Sequence, residues 1–461
     1  MFIGREKELL KLKKLYLSNK FEMLIVHGRR RVGKSYLLSH FCEEIKNYIY
    51  FTADKDTEFN NAKRFSKLLS NKLNKNYISS FSSWNEIYDF FESYEFSEKL
   101  VIVIDEFTYL TYQDVAYESK LQNAIDRILK NKNILLVLCG SEVSTIENII
   151  NNASHPLYGR KTSEMKIMPF NYYEIVDFFP NYSYQEIIET YMILGGIPLY
   201  LSIFNKDKSL KENIIENILS TNGYLYKEVE TCLKMELNEP YLYLSILNSI
   251  KYKKLNLNDI STLVNENNAK VNKYLRILTN LSIIKKEKPV GEKENARNTL
   301  YSIEDNFFAF YFTFVYEKED MLNGLISADK FYDLYLKNNQ LMTYFGRRFE
   351  RVCLQYVIKQ SYEGKLPFYI EMIGSWWGNN KKEKKQEEID IVGLSSSSAL
   401  IGEVKYTNNK FDIKEFNDLV TSSYCIDKEN KYLYAFSKSG FTNDLIEDNK
   451  CYLIDIEKLF M

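Results

Sequence analysis

Residues 22–27 form an apolar run that leads directly into a loop with the pattern G-x-x-x-x-G-K-S, from Gly28 to Ser35. The two glycines let the backbone curl so that consecutive N–H groups face an anion, and Lys34 can reach the outer phosphates. The Ser35 hydroxyl is suited to hold Mg²⁺ where the next helix begins. The pattern therefore predicts a strand, a phosphate-binding loop and a helix that bind ATP. The residues predicted to contact the nucleotide here are Gly28, Arg29, Arg30, Arg31, Val32, Gly33, Lys34, Ser35 and Tyr36.

A second apolar run, residues 100–104, ends in the acid pair Asp105-Glu106. Asp105 is a predicted Mg²⁺ ligand, and Glu106 would polarise a water for in-line attack on the γ phosphorus. A core strand with acids at its solvent end is the alternative. The order and context of the two patterns favour the nucleotide site over this alternative, and the acid pair favours hydrolysis of ATP over its storage.

Two further residues are candidates for this site. Ser141 follows the apolar run 133–138 and would lie beside the γ phosphate, or would simply cap the next helix. Arg160 lies in a loop bounded by Pro156 and Gly159. It would act as an arginine finger in its own subunit or a neighbour's, or is a plain surface arginine. A homo-oligomer is therefore left open.

The length and composition of the chain limit its number of domains, its partners and metals, and its location. A chain of 461 residues predicts two to four domains. Its 61 Lys and Arg balance 62 Asp and Glu, so nucleic-acid binding must come from local patches. Six scattered cysteines and three histidines argue against disulfides and zinc. No apolar run approaches the roughly 18 residues of a membrane span, so we expect a cytoplasmic protein.

Apolar strands alternate with helical segments in the first 170 residues, which predicts an α/β fold with a parallel sheet covered by helices. Residues 171–235 look mostly helical and contain a helix-breaking turn, Gly195-Gly196-Ile197-Pro198, that suggests a lid hinge. Residues 240–303 show the pattern of three helices and a hairpin, the outline of a winged helix. Its third helix would present Lys270, Lys273 and Arg276 to nucleic acid, or merely to solvent.

A second chemical pattern lies near the carboxyl end. Two apolar strands, 388–393 and 399–405, are joined by the serine-rich turn 395–398. Alternation along the strands places Glu403 and Lys405 on one face, and the hairpin brings Asp390 across from them. Asp390, Glu403 and the Val404 carbonyl would bind Mg²⁺ or Mn²⁺, and Lys405 would hold the nucleophile or the phosphate charge. Ordinary sheets also carry such cross-strand charges.

A third carboxylate, Glu350, lies in the preceding helical stretch and is placed in order to join this set. Four lysines in the turn before Glu388, at 381, 382, 384 and 385, would grip a phosphate backbone or keep the hairpin soluble.

Taken together, these segments resemble, almost end to end, the archaeal-type ATPase family of AAA+/STAND-like P-loop proteins with a C-terminal PD-(D/E)XK restriction-endonuclease-like domain. The matching segments are residues 2–6, 28–35, 105–106, 139–141, 157–160, 195–198, 305–308 and 373–390. The resemblance implies that Gly4, Arg5 and Glu6 lie near the adenine, and that Glu350, Asp390, Glu403 and Lys405 form the nuclease set. Glu142 departs from the small polar residue expected after Ser141.

These observations predict five segments and one main function. The segments are a P-loop ATPase core (1–170), a helical lid (171–237), a winged helix (238–304), a helical connector (305–345) and a nuclease-like domain (346–461). The predicted function is cleavage or processing of DNA, regulated by ATP and dependent on Mg²⁺. A nucleotide-controlled switch without nuclease activity and a transcriptional regulator are the alternatives.

Overall fold

The computed structural model describes residues 2–114, 116–237, 239–292, 298–337, 339–380 and 384–461. The chain divides into two units, Met1–Pro169 with Ile197–Leu199, and Phe170–Gly196 with Tyr200–Met461. The lid, winged helix, connector and nuclease-like segments predicted from the sequence therefore fall, apart from residues 197–199, within the second unit.

Continuous apolar runs build the parallel sheet of the first unit. Its five strands are ordered β2-β3-β4-β1-β5. Every residue of β1, β3 and β4 is buried, as expected when helices cover both faces of a sheet. The strands are β1 (Glu22–His27), β2 (Tyr48–Thr52), β3 (Leu100–Asp105), β4 (Ile134–Gly140) and β5 (Ser163–Lys166). The α/β fold with a parallel sheet is thus confirmed.

Helices connect these strands. They are α1 (Glu6–Tyr16), α2 (Lys34–Ile45), α3 (Glu58–Leu73), α4 (Trp84–Ser93), α5 (Thr108–Gln113), α6 (Tyr117–Arg127) and α7 (Val143–Asn151). The strand order places β4 between β1 and β3. Because all three strands are parallel, their carboxyl ends meet at one edge, which carries the loop after His27, the acid pair after Ile104 and Ser141.

The second unit begins with short helices and continues into three helices and a hairpin. The helices are α8 (Tyr184–Leu194), α9 (Pro198–Ile203, whose first two residues belong to the first unit), α10 (Leu210–Ile214), α11 (Glu228–Glu236), α12 (Pro240–Ser249), α13 (Leu257–Leu263) and α14 (Asn268–Asn280). The hairpin pairs β6 (Ile284–Glu287) with β7 (Leu300–Ile303) in antiparallel register. Leu255 forms an added bridge to Tyr301.

Helix α14 buries Val271, Leu275 and Leu278 as the periodicity predicts. Tyr274 is also buried, whereas Ile277, expected in the core, is only half-buried. Lys273 and Arg276 are exposed, and Lys270 forms an ion pair with Glu266 at 2.6 Å.

A mixed sheet forms the carboxyl-terminal part, with the order β12-β11-β10-β9-β8. Its strands are β8 (Met372–Asn380), β9 (Lys385–Leu394), β10 (Ser398–Lys405), β11 (Asn430–Ser437) and β12 (Tyr452–Asp455). The remaining helices of this unit are α15 (Asn306–Phe310), α16 (Ala328–Tyr335), α17 (Asn339–Tyr362), α18 (Ile413–Ser423), α19 (Asn443–Asp448) and α20 (Ile456–Leu459). Lys381 and Lys382 lie outside the described residues. Throughout the described chain, no helix has the length and apolar character of a membrane span.

A buried arginine ties α17 to the segment that follows β7. Arg348 donates to the Asn306 Oδ1 at 2.7 Å, the Ile303 carbonyl at 2.9 Å and the Glu304 carbonyl at 2.7 Å. Burial lowers its pKa to about 10, so the guanidinium stays charged at neutral pH. These bonds join helix, hairpin and connector inside one unit.

Replacement of this arginine should destabilise the second unit. We expect Arg348→Ala to cost about 3–5 kcal/mol, because three buried acceptors lose a charged donor. The neighbouring Arg347→Ala is the matched control and should change stability by about 1 kcal/mol at most, since Arg347 is exposed. Urea unfolding measures both, and equal losses would contradict the role assigned to Arg348.

Candidate functional site

The glycine-rich loop of the first unit has the backbone that an anion cradle needs. Gly28, Arg31 and Gly33 have φ values of 148°, 71° and 88°. A Cβ on Gly28 would lie 2.4 Å from the Ile167 carbonyl oxygen, so only glycine fits there. Lys34 Nζ donates to the carbonyls of Gly28 at 2.8 Å and Arg29 at 3.1 Å. The loop therefore closes on its own lysine at the start of α2.

The acid pair lies at the end of β3, on the same edge of the sheet. Asp105 is buried and accepts a hydrogen bond from the Tyr50 hydroxyl at 2.8 Å. Burial and the charge of Asp105 raise the pKa of Tyr50, which keeps this hydroxyl a donor. Ser35 Oγ and Asp105 are hard oxygen donors of the kind that Mg²⁺ prefers.

Glu106 adopts a left-handed backbone, with φ 51°, and its carboxylate is held by a neighbour. The buried Ser141 hydroxyl donates to its two oxygens at 3.1 and 3.0 Å. The capping alternative for Ser141 is wrong, because Glu142 is the N-cap residue of α7 and no side chain caps that helix. Ser141 instead fixes the orientation of Glu106.

Arg160 is held by its own neighbourhood. Its guanidinium pairs with Asp126, at 2.6 Å for the shortest contact, and donates to the Pro156 carbonyl at 2.7 Å. The finger role stays a prediction, and it requires Arg160 to leave Asp126.

The amino-terminal residues contact the loop directly. Arg5 is buried and donates to the Val32 carbonyl at 3.1 Å and to Glu8 at 3.1 Å. Gly4 and Arg5 both have positive φ, and Glu6 begins α1. Phe2 stacks on His40, with ring centroids 4.0 Å apart. The adenine-side role of residues 4–6 stays a prediction.

The second set of predicted residues lies on β9 and β10. Gly402 pairs with Ile391 in antiparallel register, so Glu403 lies opposite Asp390. The Val404 N–H donates to the Asp390 Oδ2 at 2.9 Å, and Lys405 Nζ lies 2.5 Å from the Glu403 Oε1. Asp390, Glu403 and Lys405 thus meet, as the alternation along the strands predicts.

Burial and like charges perturb these acids. Burial, with the charges of Glu403 and Glu350, raises the pKa of Asp390 well above its usual range. Burial raises the pKa of Glu350 to about 7, although the Lys254 ammonium opposes this shift. Carboxylates that resist ionisation in this way are expected where a metal ion supplies the missing charge.

The arrangement of ligands is less complete than the sequence predicts. Within the described ranges, no group of three or more His, Cys, Asp or Glu side chains is arranged to hold a metal ion. Metal binding by Glu350 together with Asp390 and Glu403 stays a prediction. Metal binding by Asp390, Glu403 and the Val404 carbonyl likewise stays a prediction.

Two contacting residues carry no signal in the sequence. Tyr50 reaches Asp105 because β2 lies beside β3, an order that the sequence does not state. Lys254 lies 3.2 Å from Glu287 and 3.4 Å from Glu388. A lysine in a turn more than 130 positions from β9 gives no local sign of this contact.

Comparison with known proteins shows the family to which the chain belongs. Residues 2–204 match a family described as an ATPase domain predominantly from Archaea, and residues 311–416 match one described as archaeal and bacterial proteins of unknown function. An uncharacterized protein of Methanocaldococcus jannaschii is 30% identical over 462 residues, 99% of each chain. The chain belongs to the archaeal ATPase family.

Other similarities are more limited. An uncharacterized ATP-binding protein of Methanocaldococcus jannaschii is 44% identical over 46 residues, 10% of this chain and 78% of that protein. A Walker-type ATPase of Pyrococcus abyssi has TM-score 0.45 and 21% identity, over 68% of this chain and 96% of that one. The ORC2 protein of Aeropyrum pernix, in ADPNP and ADP complexes, has TM-score 0.46 and 12% identity, over 72% and 94%.

Family membership confirms the predicted ATPase domain and its binding of nucleotide. Nuclease activity, DNA binding and Mg²⁺ remain predictions for this ATPase.

The carboxyl group of Glu350 gives a pH-dependent prediction. Its folded pKa, about 7, exceeds the ordinary 4.5, so the folded state binds the proton more tightly than the unfolded state. This stabilisation is present below pH 4.5 and is lost as pH rises toward 7. In EDTA, Glu350→Gln should raise Tm at pH 8 by about 3 °C or more and change it little at pH 4.5.

Differential scanning calorimetry measures this difference. Glu447→Gln, which replaces an exposed carboxylate of α19, is the control. An increase of the same size at both pH values for Glu350→Gln would contradict the buried, protonated Glu350.

Proposed function

We propose that this ATPase couples hydrolysis of ATP in the first unit to Mg²⁺-dependent cleavage of DNA in the second. The observation that carries the nuclease part is the meeting of Asp390, Glu403 and Lys405 on adjacent strands. Two carboxylates and an ammonium group on adjacent strands suit attack on a phosphodiester. Because one chain carries both sites, ATP can regulate the cleavage site without a second protein.

At the nucleotide site, each residue has a separate task. The N–H groups of residues 28–34 and the Lys34 ammonium would bind the phosphates once Lys34 exchanges its carbonyl partners for phosphate oxygens. Ser35 and Asp105 would hold Mg²⁺, which when bound supplies neutralisation of the phosphate charge. Tyr50 orients Asp105. Glu106 would take the proton of the attacking water.

The contact between Ser141 and Glu106 gives hydrolysis a control point. While the Ser141 hydroxyl donates to both oxygens of Glu106, these oxygens are poorer acceptors for a water proton. A γ phosphate that draws the Ser141 hydroxyl away would free Glu106 to act as a base. Hydrolysis would then begin only when a triphosphate fills the site.

At the carboxylate site, Asp390, Glu403 and the Val404 carbonyl would hold Mg²⁺ or Mn²⁺, which when bound supplies Lewis-acid activation of the phosphate. The Val404 N–H orients Asp390. Lys405, which is 32% exposed, can leave Glu403 to bind the attacked phosphate or a hydroxide. Glu350, with a pKa of about 7, is suited to move a proton near neutral pH.

A nucleotide-controlled switch is the second candidate. It is favoured by the absence of a three-ligand metal group among the described residues. In that case the second unit would bind DNA or a protein without cutting, and Asp390 and Glu403 would serve only the fold.

The ATPase assignment gives the first test. Lys34→Ala should abolish nucleotide binding, because the loop loses the cation that reaches the outer phosphates. Glu106→Gln should retain binding and lower kcat for ATP by about 10²–10⁴ through loss of the base. Phosphate release and binding of a fluorescent nucleotide measure the two effects. Lys20→Ala, an exposed lysine, is the control. Hydrolysis by Glu106→Gln at the wild-type rate would reject the role of Glu106.

The nuclease assignment is tested on linear, circular and branched DNA with Mg²⁺ or Mn²⁺, with and without ATP. Asp390→Ala and Lys405→Ala should lower cleavage by 10²-fold or more, on the order of one lost catalytic group, and should leave ATP hydrolysis intact. Lys34→Ala separates cleavage that depends on ATP from cleavage that does not. If wild-type protein hydrolyses ATP but cuts no DNA, the nucleotide-controlled switch replaces the nuclease.

A further inference from the structure

A cleft of about 1060 Å³ lies within the second unit, and two of the candidate nuclease acids are part of its lining. One wall is the turn 250–254 with the β6–β7 hairpin, and the other is formed by α17 and strands β8 and β9. Asp390 and Glu350 line it. A substrate that fills this cleft would lie against both these acids and the turn 250–254.

The cleft carries several cationic side chains, and the two that are exposed lack acidic partners. Lys253 is exposed and makes no ion pair with any carboxylate in the described chain. Arg347 is exposed and donates to the Tyr252 carbonyl rather than to a carboxylate. By contrast, Lys254 is held by Glu287 and Glu388, and Lys251 by Glu317. Lys253 and Arg347 are therefore the cations that remain for phosphate groups.

Aromatic side chains accompany these cations. Tyr252 is 49% exposed and lies between Lys251 and Lys253 in the chain. The indole of Trp377 also lines the cleft, with Lys254 Nζ 5.5 Å from its ring centroid. Aromatic faces beside backbone-binding cations are the arrangement by which proteins hold unpaired bases and phosphates.

The size of the cleft favours a single strand. One turn of duplex DNA is about 34 Å long, and its major groove by itself is wide enough to hold an α-helix. A cleft of 1060 Å³ cannot enclose such a turn, but it has room for a few extended nucleotides.

We infer that this cleft binds single-stranded nucleic acid, with Lys253 and Arg347 on phosphates and Tyr252 stacked on a base, and leads the strand to Asp390. The inference deepens the proposed function, because it names the substrate of the same site as an unpaired strand or strand end. The sugar is left to the test, since the cations and aromatic rings recognise the phosphates and bases that DNA and RNA share.

The test measures binding separately from cleavage. Wild-type full-length protein in EDTA, without ATP, is titrated against labelled 20-nucleotide poly-dT, 20-nucleotide poly-rU and a 20-base-pair blunt duplex by fluorescence anisotropy. We expect at least one single strand to bind about tenfold or more tightly than the duplex. Lys253→Ala and Arg347→Ala should each weaken that binding by about fivefold, and each should reduce its salt slope by about 0.7.

Matched variants separate these contacts from effects on folding. Tyr252→Ala should weaken binding by about fivefold or more, whereas Tyr252→Phe should retain it, because the stacking face survives. Lys286→Ala is the control, since Lys286 is an exposed lysine of the same hairpin that does not line the cleft. It should bind as the wild type does.

The outcomes also separate this inference from the nuclease proposal. No binding of either strand, a duplex bound as tightly as the strands, or Lys253→Ala and Arg347→Ala variants that bind like the wild type would overturn the inference. Cleft-dependent binding of a strand that is never cut with Mg²⁺ or Mn²⁺ would support the inference and reject the nuclease. Cleavage that the cleft variants leave unchanged would support the nuclease proposal and overturn this inference.

Discussion

Carboxylates that are partly removed from water govern both candidate sites. A buried carboxylate needs a donor or a cation, because otherwise it takes up a proton. In the first unit the donors are hydroxyls, Tyr50 for Asp105 and Ser141 for Glu106. In the second unit the acids lie close to one another, and the pKa of Asp390 rises well above its usual range. The acids of the first site thus have hydrogen-bond donors before the ligand arrives. The acids of the second site have too little positive charge beside them, and a bound cation would supply it.

Much of the first site could be predicted from the sequence because its chemistry is local. The glycine positions, Lys34 and the acid pair each follow an apolar strand, and the carboxyl ends of parallel strands share one edge. What the sequence does not state is which strands are neighbours. The contact of Tyr50 with Asp105 depends on β2 pairing with β3, and the contact of Ser141 with Glu106 depends on β4 lying between β1 and β3. Either role of Ser141 was consistent with the sequence, and the strand order supplied a third.

The second site was predicted as far as alternation along two strands allows. Asp390, Glu403 and Lys405 follow from a short turn and a period of two. The surrounding charges do not follow, because they come from distant segments: Lys254 from a turn after α12 and Arg348 from the middle of a long helix. These contacts explain why segments that look separable in the sequence form one unit. A buried guanidinium that donates to the carbonyls of another segment holds the two segments together, and the periodicity of the sequence does not predict this contact.

The serine-rich turn between β9 and β10 matters through its length rather than through its composition. The Ser395 N–H donates to the Ser398 carbonyl at 2.9 Å, and this closure sets which residue of one strand faces which residue of the other. A shift by a single residue moves every side chain of a strand to the opposite face. The length of the turn therefore sets the position of Asp390 relative to Glu403. One inserted residue that shifted this register would separate Asp390 from Glu403.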